Sequence, residues 1–416
     1  MPTSFNTFEL HPALIKALQN KAYAQPTPIQ QNAIPYALAG KDILGSAQTG
    51  SGKTAAFALP ILHRLASQTL FSPRRTLALV LVPTRELAMQ VGEVFKTLGH
   101  HLPQAVQITT LFGGVSINPQ MMRLRGGADV VVATPGRLLD LVDHNALSLD
   151  FVETLVLDEA DRLLDMGFAL ELKRVLSLIP AKRQNLFFSA TFPSAVQELA
   201  NTFLYEPIRI DVQPEIENAA DIAQRAILVD APNRTQLLRY LIEQNKWSRV
   251  LVFVATKHAA EMVAVKLRKA RINAEPFHGE QSQGKRVQVL ADFKSSRLTV
   301  VVATDVAARG LDIAQLPVVV NFDLPRSAVD YTHRIGRTGR AGEHGLAISF
   351  VSSNMQAHWQ LIQKRQDMHI ALDVVAGFEP TQEFVEVNFA TGGIKGKRPS
   401  KKDKLRAAGQ YRESNP

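Results

Sequence analysis

The sequence contains no cysteine among its 416 residues. This absence excludes disulfide frameworks, thiolate zinc sites, cysteine nucleophiles and iron–sulfur clusters together, and it fits a reducing compartment. The sequence also lacks an apolar run of the roughly 18 residues that a transmembrane helix needs. Its first ten residues have neither the basic start nor the apolar stretch of a signal peptide. We therefore expect a cytoplasmic protein with no membrane partner.

Acidic residues are in the minority, because 38 Asp and Glu oppose 47 Lys and Arg and leave a net charge of +9. Such an excess favours a polyanionic partner, either nucleic acid or an acidic membrane surface, although many basic proteins bind neither. Hydrophobic residues make up 46% of the chain, which is typical of globular proteins. At about 100 to 200 residues per domain, the length predicts two to four domains.

Short runs of Val and Leu alternate with stretches of helical periodicity. The runs at 77–82, 250–254 and 300–302 lack polar alternation, which is typical of strands buried on both faces. The alternation predicts an α/β fold in which helices cover a parallel sheet. The residues around Thr84 resemble those around Thr256, and those around Thr134 resemble those around Thr304, at nearly the same spacing. This repetition predicts two similar α/β domains in tandem.

The chain divides into four predicted regions. We expect domains at 1–212 and 222–385, joined by a linker at 213–221 that has no apolar periodicity. Residues 386–416 form a basic segment that we expect to be a flexible, disordered tail. This tail is either a solubilising end or a non-specific electrostatic tether to phosphate.

A glycine-rich segment between a strand-like and a helical stretch indicates a phosphate-binding loop. Consecutive backbone N–H groups of such a loop surround phosphate oxygens at a helix N-terminus. The lysine reaches the terminal phosphates and the following hydroxyl ligates Mg²⁺. The first position departs from the general pattern, which has glycine there. The loop comprises Ala47, Gln48, Thr49, Gly50, Ser51, Gly52, Lys53 and Thr54.

The acidic segment Asp158-Glu159-Ala160-Asp161 directly follows an apolar strand. Alone it would more often be a solvated turn. A parallel strand, however, delivers such carboxylates to the carboxyl edge of the sheet, beside the phosphate loop. We expect Asp158 to hold hydrated Mg²⁺ and Glu159 to orient and deprotonate an attacking water.

The second half carries Arg334, Arg337 and Arg340 at three-residue spacing. On a helix this spacing places neighbours on one face, so the guanidiniums are expected to converge on one anion, although helical charge is usually solvated surface. Arginines from the second domain would complete a nucleotide site built on the first. Upstream, the amide of Gln30 has the donor and acceptor that match an adenine edge.

These segments occur in the order found in DEAD-box RNA helicases, which the chain resembles from about Phe5 to Val351. The motifs that carry the resemblance are Phe5, 26–30, 47–54, 83–87, 113–114, 134–137, 158–161, 189–191, 303–312 and 333–340. The stretch 112–122 is further similar to the bacterial RhlE-type subgroup. The resemblance implies two tandem RecA-like domains and an ATP-dependent RNA helicase that uses ATP and Mg²⁺.

The resemblance also implies roles for individual residues. Gln30 would select adenine and Phe5 would pack on it, unless Phe5 only anchors the core. Ser189 and Thr191, with His333 as a partner, would couple hydrolysis to strand opening. From the second domain, contacts to the nucleotide would come from Gly310, Asp312, Arg337 and Arg340, the arginines in finger positions.

The RNA side would be built from groups that bind backbone phosphate and read no bases. In the first domain these residues are Pro83, Thr84, Arg85, Gly113, Gly114, Thr134, Pro135, Gly136 and Arg137. In the second domain they are Phe253, Gln283, Arg286, Thr304 and Asp305. The expected partner is single-stranded or short duplex RNA, bound without sequence preference, with ribosomal or RNA-decay assemblies as possible settings.

Two departures from the family pattern stand out. Ala22 occupies a position that is usually glycine, which matters little only if its φ is negative. Ala255 follows Phe253-Val254 where a polar or basic residue is common, and it weakens the expected RNA contacts there. Two other functions stay open, namely an ATP-dependent RNA clamp or annealing chaperone with incidental unwinding, and a DNA helicase on the same core.

Overall fold

The computed structural model describes residues 4–47, 51–212, 222–308, 316–339 and 344–381. The predicted linker at 213–221 and the predicted tail at 386–416 lie outside these residues. In the described ranges, no helix has the length and apolar character needed to cross a membrane.

Seven parallel strands of the first half form one sheet in the order β3-β4-β2-β5-β6-β1-β7. Helices cover both of its faces, with α1 to α4 on one side and α5 to α9 on the other. The strands are β1 Ile43–Ser46, β2 Ala78–Leu81, β3 Ile108–Leu111, β4 Val130–Ala133, β5 Thr154–Asp158, β6 Gln184–Ser189 and β7 Ile208–Asp211. The helices are α1 Pro12–Asn20, α2 Pro28–Leu38, α3 Lys53–Ala66, α4 Arg85–Gly99, α5 Asn118–Leu124, α6 Pro135–Asp143, α7 Ala160–Asp165, α8 Ala169–Leu178 and α9 Ser194–Phe203, after a 3-10 turn at Phe5–Phe8.

The second half forms another parallel sheet, in the order β10-β11-β9-β12-β13-β8-β14. Its strands are β8 Ile222–Leu228, β9 Val250–Val254, β10 Ala274–Phe277, β11 Val300–Thr304, β12 Val318–Asn321, β13 Gly345–Val351 and β14 Leu372–Asp373. Its helices are α10 Arg234–Asn245, α11 Lys257–Lys269, α12 Gln283–Lys294, α13 Asp305–Ala308, α14 Ala328–Ile335 and α15 Gln356–Gln366, with 3-10 turns at Ala231–Asn233 and Ser353–Met355.

Counted from its own first strand, each sheet has the same strand order, 3-4-2-5-6-1-7. The predicted α/β fold with two similar sheets is therefore confirmed. The central strands carry Val and Leu because alternate side chains enter helix layers on opposite faces, so both faces are buried.

Thr84 and Thr256, one of the two repeated pairs of threonines, have the same structural role in the two halves. The Thr84 hydroxyl accepts a hydrogen bond from the Leu87 N–H at 3.3 Å and caps α4. The Thr256 hydroxyl accepts one from the Ala259 N–H at 3.1 Å and caps α11. Each cap satisfies an N–H group that the first helical turn leaves unpaired. The sequence repeat thus reflects a helix start placed after the equivalent strand of each sheet.

Ala22 has a φ of 55°, in the left-handed region. An alanine in place of the usual glycine would matter little only if φ were negative, and here φ is positive. A Cβ in this conformation meets the following carbonyl oxygen, so the alanine carries a conformational cost that glycine avoids.

Candidate active site

The described part of the phosphate loop is held from outside by the segment that precedes α2. The Thr27 hydroxyl donates to the Ser51 carbonyl at 2.7 Å, and the Gln30 Nε2 donates to the Gly52 carbonyl at 3.0 Å. Gly52 has a φ of 92°, and a Cβ there would lie 2.4 Å from the Gln30 Nε2. Glycine is therefore required both for the backbone conformation and for the close approach of Gln30.

The Gln30 side chain uses both of its polar atoms on the protein, because its Oε1 accepts from the Thr27 N–H at 3.0 Å. Its contact with adenine stays a prediction. Phe5 is buried in the core of the first half, with its ring edge-on to Phe8 at 6.1 Å. Ala47 donates its N–H to the Ser189 carbonyl at 3.0 Å. Gln48, Thr49 and Gly50 lie outside the described residues.

Lys53 is the first residue of α3 and points at the end of β5. Its Nζ lies 4.0 Å from the Asp158 Oδ1, and both side chains are buried. The Nζ makes no hydrogen bond within the described ranges of the chain. Burial raises the pKa of Asp158 to about 6, while the Lys53 charge opposes that rise. Thr54 follows in the first turn of α3. A buried ammonium without a hydrogen bond, at a helix N-terminus, suits an anionic ligand.

Glu159 stands directly after β5 with a φ of 53°, which is unusual for a residue other than glycine. Its carboxylate forms an ion pair with Arg162 at 3.3 Å, and both side chains are buried. Non-glycine residues in this backbone region persist where surrounding structure imposes them, and they concentrate at functional sites.

Asp161 connects the acidic segment to the end of β6. Its N–H donates to the Ser189 hydroxyl at 3.2 Å, and its carboxylate accepts from the Thr191 hydroxyl at 2.7 Å. The Ser189 hydroxyl donates in turn to the Thr191 carbonyl at 2.7 Å. The two predicted segments therefore form one hydrogen-bonded unit, because β5 and β6 are neighbours.

His333 from the second half lies beside this acidic segment. It lines a small cavity together with Arg162 of the first half and with Arg337 and Asp330 of the second. Burial and the nearby Arg162 lower the pKa of His333 to about 4, against the opposing effect of the carboxylates. The imidazole is therefore neutral near pH 7. The predicted residues His333 and Arg337 therefore lie, across this cavity, next to the helix that carries the acidic segment.

Arg334 and Arg337 do not share a helix face, so that expectation is wrong for this pair. Helix α14 ends at Ile335, with Gly336 as its C-cap. Arg334 forms a bidentate pair with Asp305 at 2.6 and 2.7 Å, and its guanidinium lies 5.0 Å from the centre of the Phe253 ring. Arg337 follows the end of the helix. Arg340, Gly310 and Asp312 lie outside the described residues.

The predicted RNA residues of the first half lie in the loops after β2, β3 and β4. Arg85 donates from Nη1 to the Gly114 carbonyl at 3.5 Å, and Arg137 donates from Nη2 to the Val115 carbonyl at 2.8 Å. Thr134 and Pro135 open α6 with Gly136 next, while Pro83 and Gly113 lie in the neighbouring loops. The structure therefore brings these residues together at one edge of the sheet.

The predicted RNA residues of the second half divide into two groups. Thr304 and Asp305 end β11 and begin α13, and Asp305 is paired with Arg334. Gln283 and Arg286, on α12, instead contact Glu86 of the first half. Arg286 and Glu86 are 2.9 Å apart and each side chain is only 4% exposed.

Sequence reasoning missed Glu86 and Arg162 as residues of this cleft. Glu86 directly follows the predicted residue Arg85, and Arg162 lies three residues after the predicted residue Glu159. Their proximity along the chain was the available signal. Their neighbours across the cleft, Arg286 and His333, are distant in sequence, so these contacts had no local signature.

Comparison with protein-family models matches residues 27–199 to the DEAD/DEAH box helicase model and residues 233–342 to the helicase conserved C-terminal domain. The chain is 41% identical over 368 residues to the ATP-dependent RNA helicase DeaD of Buchnera aphidicola, covering 88% of this chain and 60% of that protein. It is 41% identical over 363 residues to the ATP-dependent rRNA helicase rrp3 of Emericella nidulans, covering 86% and 76%. It thus spans 60% to 76% of the length of these relatives.

Solved structures show the same architecture. The chain is similar to S. cerevisiae Dbp5 bound to RNA and ADP BeF3, with a TM-score of 0.79 and 30% identity, covering 90% of this chain and 96% of that one. The two sheets are therefore tandem RecA-like domains, as the resemblance implied.

Proposed function

The chain belongs to the DEAD-box family of RNA helicases, and from that premise we propose that it couples RNA-stimulated ATP hydrolysis to local strand separation or ribonucleoprotein remodelling. The strand opening is independent of RNA sequence. The domain bounds and the roles of individual residues in ATP and RNA binding are part of this proposal.

The main support for the nucleotide site is the environment of the Lys53 ammonium. It is buried, 4.0 Å from Asp158, and lacks a hydrogen bond in the described ranges. The Ser51 hydroxyl beside it is likewise buried with no described partner. These donors, at the N-terminus of α3, fit the phosphates of ATP. Thr54 and Asp158 supply the oxygen ligands that Mg²⁺ prefers, and the ion would neutralise phosphate charge when bound.

Glu159 is the group that orients and deprotonates the attacking water. It follows Asp158 directly with a left-handed backbone, and its carboxylate is held by an ion pair with Arg162. Arg337, which lines the cavity beside Arg162, stabilises negative charge that develops on the phosphate, and Arg340 is assigned the same role from its place in the sequence motif alone. The neutral His333 and the Asp161–Ser189–Thr191 network transmit the state of this site to the RNA side.

RNA binds across the carboxyl edges of both sheets through backbone contacts. Loop glycines and the starts of α4 and α6 offer N–H groups, and Arg85 and Arg137 offer guanidiniums. Groups of these types bind backbone phosphate, so we expect binding to be independent of the RNA sequence. Discrimination against DNA then depends on contacts to the 2′-OH. Closure of the domains bends one strand and ejects its partner locally, and hydrolysis reopens them.

We also propose a subgroup, a cellular setting and a location for the protein. The stretch 112–122 supports membership of the RhlE-type subgroup. Ribosomal or RNA-decay assemblies are the settings we consider for its RNA, and the absence of cysteine accords with a cytoplasmic location.

An ATP-dependent RNA clamp or annealing chaperone is the second candidate. The buried Glu86–Arg286 pair joins the two halves directly and favours a protein that holds its domains together for long periods. Steady-state phosphate release with and without RNA separates the candidates, because a clamp turns over slowly even with saturating RNA.

The preference for RNA or DNA as the activator of phosphate release distinguishes the proposed function from that of a DNA helicase. We expect RNA to stimulate phosphate release and DNA of the same sequence to give little stimulation. Strand separation should fall steeply as the duplex lengthens. Equal stimulation by RNA and DNA, or unwinding that does not decline with duplex length, would contradict the proposal.

A further inference from the structure

Two exposed phenyl rings and one arginine form a cluster on the surface of the first half. The centroids of the Phe71 and Phe151 rings are 5.9 Å apart, and the Arg75 guanidinium lies 4.7 Å from the first and 4.0 Å from the second. Phe71 is 40% exposed and Phe151 is 39% exposed, and neither belongs to a core cluster of the described residues. The rings come from segments distant along the chain, so local sequence does not account for their meeting.

The rings order the Arg75 guanidinium and leave its hydrogen-bonding groups available. Within the described ranges Arg75 makes no ion pair or hydrogen bond. The adjacent Arg74, by contrast, pairs with Asp129 at 3.2 Å. Contact with an aromatic ring uses the π face of a guanidinium and not its N–H donors. Arg75 is therefore a positioned cation whose donors are open to an anion.

The cluster lies at the amino edge of the first sheet, where the chain enters the strands. Phe71 and Arg75 precede β2, and Phe151 precedes the neighbouring strand β5. The Glu153 N–H donates to the Leu77 carbonyl at 2.8 Å and joins these two entries. The predicted nucleotide and RNA residues of the first half lie at the opposite, carboxyl edge. The cluster is therefore separate from the cleft.

Further exposed cations stand at the entries of the strands on either side. They are Arg125 before β4, Lys182 before β6 and Lys41 before β1. The sheet order β4-β2-β5-β6-β1 places them in one row with Arg75. This row is four strand spacings long, or about 19 Å. The exposed acidic residues at these entries are Asp150 and Glu153, so four exposed cations oppose two exposed carboxylates.

A row of cations with exposed aromatic rings among them has the composition of a surface that binds single-stranded nucleic acid. On such surfaces the cations follow the phosphate backbone, and bases stack on aromatic rings and on guanidinium planes. Free phosphate or an acidic peptide would satisfy the cations and leave the two rings unused. The cluster therefore favours a single strand over a ligand that is only anionic.

We propose that Phe71, Arg75 and Phe151, with the neighbouring row of cations, form a second binding surface for single-stranded RNA, the amino-edge surface. This rests on the proposed RNA-binding function and adds a site outside the cleft. The strands of the first sheet are four to six residues long, so its two edges are at least about 13 Å apart. The amino-edge surface therefore binds a single-stranded segment that flanks the nucleotides held in the cleft.

The test compares two single-stranded RNAs on the full-length chain, one of about 8 nucleotides, which occupies only the cleft, and one of about 40, which also reaches the opposite edge. Arg75→Ala removes the cation, and Phe71→Leu combined with Phe151→Leu removes the rings while keeping apolar side chains. Lys173→Ala is the matched control, because Lys173 is exposed on α8 and has no ion pair in the described ranges. Fluorescence anisotropy measures the affinities.

We expect the arginine and leucine variants to weaken binding of the long RNA about three- to tenfold and that of the short RNA less than about twofold. Arg75→Ala should also reduce the salt dependence of long-RNA binding, because a phosphate contact is lost. Arg75→Lys should restore that salt dependence and only part of the affinity, since lysine keeps the charge without the planar guanidinium. Lys173→Ala should change neither. ATP turnover at saturating short RNA should equal that of the unmodified chain in every variant.

Two results would overturn the amino-edge surface. Equal losses on the short and the long RNA would show that these residues act on the cleft or on the stability of the domain. Unchanged affinity for the long RNA would exclude RNA as the occupant, and binding of polyglutamate that requires Arg75 would then assign the surface to an acidic protein. Absence of ATP turnover stimulated by the short RNA in the unmodified chain would instead contradict the proposed function itself.

Discussion

The two halves of the chain share a strand order and differ in the segments that leave equivalent strands. After β1 comes a phosphate loop, and α3 begins with Lys53, whose ammonium has no hydrogen bond in the described ranges. After β8 comes a 3-10 turn, and α10 begins with Arg234, which pairs with Asp323 at 2.6 Å. The same helix start is thus open to a ligand in one half and satisfied by the protein in the other.

The ends of two central strands extend this difference. Strand β5 ends in Asp158, and burial raises the pKa of this carboxyl group. Its counterpart β12 ends in Asn321, which is uncharged and accepts a hydrogen bond from Arg334. The end of β5 therefore places a buried carboxylate at the carboxyl edge of the first sheet, whereas the equivalent end of β12 places a buried uncharged amide there. This difference accords with the proposal that the first half binds the nucleotide and that the second half closes over it.

Replacing the two equivalent helix-start residues should separate binding from stability most strongly. Lys53→Ala should lower RNA-stimulated phosphate release at least about 100-fold, because it removes the cation that faces the phosphates. It should cost less stability than Arg234→Ala, since the ammonium has no hydrogen bond to lose in the described ranges and Asp158, whose pKa burial raises to about 6, can take up a proton when the lysine is gone. Arg234→Ala should destabilise the second half, because the Asp323 carboxylate loses its cationic partner and keeps only the Ala255 N–H. Steady-state turnover and denaturant unfolding measure the two effects, and turnover lost equally in both variants would contradict the distinction.

The contact between Glu86 and Arg286 should control how the halves meet. Breaking a buried ion pair from one side costs about 3–5 kcal/mol, so Glu86→Gln should lower the closed population about 100-fold or more. Fluorescence energy transfer between labels on the two halves measures this population.

Glu93→Gln is the matched control, because Glu93 is exposed on the same helix and has no ion pair in the described ranges. It should leave closure unchanged. Equal closure in the Glu86 and Glu93 variants would show that the pair does not hold the halves together.

Closure should also depend on pH through His333. An open cleft leaves the imidazole with its ordinary pKa near 6.5, whereas the closed cleft lowers that pKa to about 4. Between these values the open form binds a proton that the closed form does not, so closure is favoured above pH 6.5 and is lost as the pH falls towards 4. The facing charges are Arg162, Asp161, Glu159 and Asp330.

We expect the closed-to-open ratio to fall roughly tenfold between about pH 7 and pH 5.5. His333→Gln should remove this dependence, whereas His100→Gln, at the exposed end of α4, should retain it. The same energy-transfer assay checks both variants. A pH profile that the His333 substitution leaves intact would assign the effect to other groups.

The smallest expected effect concerns the backbone at Ala22. Ala22→Gly should raise the free energy of unfolding by about 0.5–1 kcal/mol, because its φ of 55° costs alanine more than glycine. Ala39→Gly is the control, since Ala39 is also exposed but has a φ of −74° and should lose stability. The shift in denaturant midpoint measures both, and a shift of the same sign in both would exclude the conformational explanation.

The fold and much of the site were predictable because their signals are local. Runs such as 250–254 specify strands buried on both faces, and the recurrence of Thr84 as Thr256 marks the same capped helix start. Gly52, Lys53 and Asp158 lie where their spacing from strands predicted.

The remaining features depend on partners distant along the chain. Arg334 turns towards Asp305 because Gly336 ends α14, so regular spacing of arginines could not show where each one points. Glu86 and Arg286 meet only when both halves are folded. The positive φ of Ala22 is a property of backbone geometry that alanine itself does not indicate.

Turnover by Arg337→Ala, at saturating ATP and RNA, tests most directly whether the second half completes a site built on the first. Arg337 is buried and lines the cavity beside Arg162 and His333. We predict that kcat falls about 100-fold or more while the affinity for ATP changes less than about tenfold, because the guanidinium acts on charge that develops during hydrolysis. An unchanged kcat would contradict the division of roles between the two halves.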